Sequence, residues 1–162
     1  MDLIAHPIPP LFDNTSKILI LGSFPSVKSR EGKFFYHHPQ NRFWKVISSV
    51  YERPLPITVE EKRTMLFDCK LAVWDVIKSC EITGSSDSSI KNVSANDISQ
   101  ILRCAQIKVI VANGNTAHKL YMKYIYPTTG MEALKLPSTS PANAGFGMER
   151  LIEAWSYLKQ YS

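Results

Sequence analysis

The chain has 162 residues, 44% of them hydrophobic and 20% charged, with a formal net charge of +5. A chain of this length buries roughly 70% of its unfolded surface, so one ordinary domain over residues 1–162 is expected, held by its core without disulfide or metal. Long like-charge blocks, tandem repeats, low-complexity tracts and any run near the roughly 20 apolar residues of a membrane span are all missing.

In chain order, Met1–Pro10 carries Asp2 and three prolines without a basic lead, and does not read as a secretory signal. A soluble cytoplasmic protein is expected, nucleoid-associated if bacterial. Lys17–Gly22 is a continuous apolar run ending at a glycine, the pattern of a strand buried on both faces. Asn41–Tyr51 places Phe43, Trp44, Ile47 and Val50 on one helical face. Thr58-Val-Glu-Glu61 opens a helix to Cys69 with a capping-box pattern. A second strand is expected over Leu71–Ile77, followed by a loop from Asp75 to Gly84. A helix over Ala95–Cys104, a third strand at Ile107–Ala112 and a helix over Asn115–Ile125 come next. A shorter strand at Ala133–Pro137 and a helix over Met148–Tyr161 close the chain. Doubly apolar strands alternating with helices indicate a three-layer α/β fold with a mainly parallel sheet.

Ligands of such sheets bind at the carboxyl ends of the strands. That rule selects Gly22-Ser-Phe-Pro-Ser26, Asp75–Gly84, Asn113-Gly-Asn115 and Leu136–Asn143. Asn115 reads as the cap of the helix it opens, with a phosphate contact as the minor option. The segments lack a dinucleotide fingerprint, a phosphate loop and a hydrolase serine elbow. Cys69, Cys80 and Cys104 have no CxxC spacing, and His37, His38 and His118 lack partners at ligand spacing. No metal and no cofactor are expected. Between Lys28 and Lys45 there are five basic residues (Lys28, Arg30, Lys33, Arg42, Lys45) against Glu31 alone, interleaved with aromatics. Such a segment suits a polyanion, or is a solvated charged loop.

Three blocks, Gly22-Ser-Phe-Pro-Ser26, Tyr36-His-His-Pro-Gln-Asn-Arg-Phe-Trp44 and Leu136-Pro-Ser-Thr-Ser-Pro-Ala-Asn143, together resemble the uracil-DNA glycosylase superfamily. The branch they look most like is that of the DNA-deoxyinosine (hypoxanthine-DNA) glycosylases. The resemblance implies a four-stranded, mainly parallel sheet between helical layers and no cofactor. It implies excision of a deaminated base flipped out of DNA, with hypoxanthine released and an abasic site left. No lysine stands out as an amine nucleophile, so a monofunctional enzyme without strand cleavage is expected, acting as a monomer. A uracil or mismatch glycosylase of the same fold, and a nucleic-acid-binding module without chemistry, are the alternatives. Where uracil-excising relatives carry a water-activating Asp or Asn, this chain has Phe24.

The resemblance moves the catalytic role to Asn41, which would orient a water through its side-chain carbonyl; the alternative is a helix N-cap. Gly22, Ser23, Phe24 and Pro25 are expected to form the base pocket. Tyr36 would stack on the base or pack in the core, with Phe34 or Phe35 able to exchange roles with it. Asp75 would either read the N1–H of hypoxanthine or cap Ser79 or a nearby backbone amide. Pro137, Ser138, Thr139, Ser140 and Pro141 are expected to form the loop that enters the minor groove, or else a plain Pro-rich turn. Lys28, Lys33 and Arg42 are the expected phosphate contacts.

Overall fold

A computed structural model describes residues 3–162. Its elements run β1 (Leu3–Ala5), β2 (Ile18–Gly22), α1 (Val27–Gly32), α2 (Phe43–Val50), α3 (Val59–Asp68), β3 (Leu71–Asp75) and β4 (Ile77–Glu81). They continue with β5 (Lys91–Ala95), α4 (Ser99–Cys104), β6 (Val109–Asn113), α5 (Asn115–Tyr124), α6 (Tyr126–Thr129), β7 (Ala133–Leu136) and α7 (Met148–Trp155). The central sheet has the order β3-β2-β6-β7 and every pairing in it is parallel. Each residue of β2 and β3 is buried, as parallel strands covered on both faces require. Helices pack on this sheet, α3 against β3 and α5 against β6 and β7, while α2 packs against α7. The three-layer α/β/α arrangement follows.

Register places the functional edge. Gly22 pairs with Asp75, and Asn113 with Leu136, so the carboxyl ends of all four strands open onto the same side. Two of the helix starts are written locally. Thr58 accepts the amide of Glu61 while the Glu61 carboxylate accepts the amide of Thr58, the reciprocal capping box expected there. At α5 the capping position is Gly114, with φ 100°, and Asn115 is the first helical residue; the expected cap is thus displaced by one. A Cβ at Gly114 would stand 2.9 Å from that of Ser138, so glycine is required both by its φ and by the close approach of the loop after β7.

A second, antiparallel sheet of order β1-β4-β5 departs from the sequence expectation. The chain does not enter an open loop after Asp75: the amide of Val76 donates to Gly22, and Ile77 starts β4 at once. Lys91–Ala95 is a strand that ends on the residue where the helix was expected to begin, and the helix starts at Ser99 instead. Asn96 is buried and donates to the carbonyls of Asp75 (2.9 Å) and Ile77 (3.1 Å), so its amide closes the sheet corner before α4 can begin. The closing helix also ends early. At Ser156 the hydroxyl bonds back to the Ile152 carbonyl (2.6 Å), and residues 156–161 tighten into 3-10 geometry. Among the described residues no helix is long and apolar enough to cross a membrane.

Because the capping box lies far from the strand ends, Thr58→Ala is expected to cost about 1 kcal/mol. That lowers the thermal midpoint by about 2–4 °C. A scanning-calorimetry trace identical to that of the parent would contradict this.

Candidate active site

The floor of the cleft is made where β2 and β3 end. Asp75 is 4% exposed, and its Oδ2 lies 2.7 Å from Nε2 of His6, just beyond β1. The other imidazole nitrogen, Nδ1, accepts the amide of Ile8 at 3.1 Å. That bond leaves the proton on Nε2, so His6 donates and Asp75 accepts. A Cβ at Gly22 would collide with Asp75 Oδ1, which is why a glycine ends β2. Asp75 therefore neither caps Ser79 nor lies open to solvent: it is a held acceptor under the cleft. His6 was not singled out in the sequence, since it belongs to no motif and lies 69 residues from its partner.

One wall comes from the aromatic segment. Tyr36 has φ 50°, a conformation that costs a bulky residue about 1–3 kcal/mol. It is held by its ring, stacked on Phe43 at 4.0 Å and 17°, and by Trp44 Nε1, which donates to its carbonyl. Its hydroxyl accepts from Asn113 Nδ2 at 3.3 Å. Burial, then the negative charge of Asp75, pushes the Tyr36 phenol far above its ordinary range despite the opposing Asn113 bond, so it stays protonated. Phe34 and Phe35 are core residues, 3% and 2% exposed, although Phe35 also touches the cleft. Phe24 is 8% exposed, edge-on to His6 with ring centroids 5.8 Å apart, and lines the pocket beside Gly22, Ser23 and Pro25.

The opposite wall is a chain of amides and one hydroxyl. Asn113, the last residue of β6, accepts the Thr139 amide with Oδ1 and donates to Thr139 Oγ1 with Nδ2, both at 3.1 Å. Thr139, fully buried, donates its hydroxyl proton to Asn41 Oδ1 at 2.9 Å. The same Asn41 oxygen accepts the Phe43 amide at 2.9 Å, which starts α2. The two readings of Asn41 are thus not exclusive: it begins the helix and it lines the cleft. Its carbonyl oxygen already takes two donors, matching its two lone pairs. The group left for a ligand is the Nδ2 donor, not the carbonyl through which a water was expected to be held.

The loop after β7 is rigid. Ser138 Oγ accepts the Ser140 amide, Ser140 Oγ accepts the Ala142 amide, and Asn143 Nδ2 donates to the Ser138 carbonyl. Trp155 Nε1 donates to the Pro137 carbonyl at 2.9 Å. Arg42, expected on phosphate, turns its guanidinium inward instead, donating to the carbonyls of Phe146, Asn143 and Ser140. It is the clamp of the loop. Lys28 and Lys33 are exposed, with Lys28 only 3.9 Å from Glu31 in a loose pair.

These walls enclose a cleft of about 470 Å³. It brings together Gly22, Ser23, Phe24, Pro25, Tyr36, Asn41, Asp75 and the loop residues Ser138–Pro141, and leaves Lys28, Lys33, Arg42 and Pro137 outside its lining. Ser85–Ser88 and His38 also line it, and none of these was expected there. The serine loop is the continuation of the second sheet, and its only sequence signal was a run of small polar residues. Among the described residues no group of three His, Cys, Asp or Glu side chains is placed to hold a metal ion.

The model of the uracil DNA glycosylase superfamily matches residues 9–159. The chain belongs to that superfamily. Curated relatives in it include a hypoxanthine DNA glycosylase from Methanosarcina acetivorans, 31% identical over 93% of this chain and 96% of that protein. Another, from Methanosarcina barkeri, is 32% identical over 83% and 85% of the two chains. A solution NMR structure of a Methanosarcina acetivorans protein superposes with a TM-score of 0.80. It is 28% identical and covers 98% of this chain and 99% of its own. The superfamily resemblance carried by the three sequence blocks is thereby established, and those blocks supply most of the cleft.

Two outcomes follow from the geometry. His6→Ala strands the buried Asp75 oxygen without its donor and should cost about 1–3 kcal/mol in denaturant unfolding, with part recovered by His6→Gln. An unchanged midpoint would remove His6 as the support of Asp75. Arg42→Ala should loosen residues 140–146, read as faster proteolytic cleavage there. Its effect on the salt dependence of DNA binding should be smaller than that of Lys28→Ala or Lys33→Ala.

Proposed function

We propose that this protein hydrolyses the N-glycosidic bond of deoxyinosine in DNA, releasing hypoxanthine and leaving an abasic site. The observation that carries the reading is the Asn113–Thr139–Asn41 relay, which fixes an amide donor at a cleft whose polar-to-apolar replacement, Phe24, is buried in the wall. Breaking a glycosidic bond sends the bonding pair onto the base while the sugar becomes oxocarbenium-like. Donors preorganised toward the base lower that barrier. Phe24 offers the base no hydrogen bond, and removes the polar side chain that would favour a pyrimidine. The curated relatives named for hypoxanthine support the same substrate.

Tyr36, its inner face on Phe43, presents the cleft with an aromatic surface for an unstacked base. Ser138 and Ser140 use their oxygens within the loop and retain their O–H donors for phosphate. Lys28 and Lys33 supply charge beside the cleft. Among the described residues no lysine lines it, so there is no amine to form a Schiff base and cut the strand. The enzyme acts as a monomer, in the cytoplasm, without a metal or cofactor.

Single-turnover assays on duplexes containing deoxyinosine, deoxyuridine or a G:T mismatch, followed by alkali, test the reading. Release from deoxyinosine is expected to be fastest. Faster release from deoxyuridine would select the uracil alternative, and no release from any would select the binding module. Asn41→Asp isolates the donor. The carboxylate keeps both acceptor bonds, to the Phe43 amide and the Thr139 hydroxyl, and loses Nδ2. Excision should slow by roughly 10²-fold or more with the thermal midpoint nearly retained. A rate equal to the parent's would return Asn41 to water activation through oxygen. Lys28→Ala with Lys33→Ala should make the slope of log K against log salt shallower by about 0.9 for each phosphate no longer neutralised. An unchanged slope would make that segment a solvated loop.

A further inference from the structure

A second carboxyl borders the cleft. Asp87 opens a 3-10 turn, Asp87–Ser89, that follows β4 and rests on backbone bonds of its own. Ser89 Oγ accepts the Thr83 amide at 2.8 Å and donates to the Ser86 carbonyl at 2.6 Å. Arg30 donates to the Gly84 carbonyl, and Ser85 Oγ accepts the Val27 amide. The turn is thereby tied to α1, and Asp87 is held in place. Its Oδ1 accepts the Ser23 hydroxyl at 3.0 Å. Asp87 lines both the 470 Å³ cleft and the adjoining groove of Asn113–Thr116 and Pro137–Ser138, so it stands where the two meet.

A carboxylate at that place would oppose the reaction, because negative charge grows on the departing base beside it. A carboxylic acid there would assist. The groups facing Asp87 are Ser23 after β2, Asp75 at the end of β3, the Cys80 thiol of β4 and Thr116 of α5. Asp87 is exposed on its outer side; on the side facing the cleft, partial loss of water and then the charge of Asp75 raise its pKa, against the opposing bonds from Ser23 and Thr116. Asp75 cannot take the role, since the His6 N–H already occupies its Oδ2 and Gly22 backs its Oδ1.

We propose that Asp87 is the general acid of this cleft, donating its proton to N7 of the departing purine. The inference rests on the deoxyinosine reading above. The C1′–N9 bond breaks with its electron pair passing to the base. The Asp87 O–H breaks as N7–H forms, so hypoxanthine leaves neutral as its 7H tautomer. Water then adds through oxygen to C1′ and gives up a proton, which restores Asp87 through solvent. Purine N7 has no counterpart in uracil, so the same residue biases the cleft toward purines.

An acid must be protonated to act, so the single-turnover rate should fall as pH rises through the Asp87 pKa, above the ordinary carboxylate value of about 4. Asp87→Asn should lose roughly 10²-fold on deoxyinosine and lose that limb of the profile, while duplex binding and the thermal midpoint hold. Asp87→Glu should recover part of the rate together with the limb. On 7-deaza-deoxyinosine, which lacks the accepting nitrogen, the parent should be slow and Asp87→Asn should slow it no further. An Asp87→Asn profile identical to the parent's, or an equal loss on both substrates, would overturn the proposal. Absence of hypoxanthine release by the parent would overturn the functional reading instead.

Discussion

The reciprocal pair between Asn113 and Thr139 is the constraint on which the rest of the site depends. It joins the end of an inner strand to the loop that follows the edge strand, using both functions of one amide and both the backbone and the hydroxyl of one threonine. The two partners have nothing further to offer each other, so the loop has a single seating. From Thr139 the order spreads in two directions. Its hydroxyl aligns Asn41, and its carbonyl accepts the amide of Arg42, whose guanidinium then gathers the loop's other carbonyls. An exposed loop of this length would ordinarily be mobile. Here side-chain donors from Asn113, Arg42, Asn143 and Trp155 remove that freedom before any DNA arrives.

The central sheet was legible because parallel strands covered on both faces must be apolar at every position, and β2, β3 and β6 are nearly so. The second sheet was not. β5 reads Lys-Asn-Val-Ser-Ala and β1 spans three residues, so neither has an apolar face long enough to give a period. β4 follows β3 after a single residue, and the two merge into one apolar run in the sequence. The motif residues of the cleft, from Gly22 to Pro25, at Asn41 and from Ser138 to Pro141, were legible from their resemblance to the superfamily. His6, Asn113 as a structural partner and Ser85–Asp87 were not, because their roles come from side chains brought together over tens of residues. Arg42 shows the converse limit. Its charge suggested phosphate, but three carbonyls within reach decided otherwise.

The two carboxyls of the cleft show how environment separates like groups. Asp75 is buried at the floor of the cleft and takes an N–H from an imidazole whose tautomer is set by the Ile8 amide. Asp87 sits at the rim, answered only by hydroxyls and facing the charge of Asp75. One residue is committed to accepting; the other is pressed toward keeping its proton. This division follows from placement alone, since the side chains are identical.

The cleft is also built from the two ends of the chain. His6 supports its floor residue Asp75 from just beyond the first described strand, and the loop that orders Asn41 arrives only after β7, the last strand to be made. A nascent chain that has completed β2, β3 and β6 therefore has a sheet but no aligned amide. Parallel pairing across such separations is slow to form. The consequence is temporal: the amide of Asn41 can be aligned only after β7 has joined the sheet and the loop that follows it has seated on Asn113.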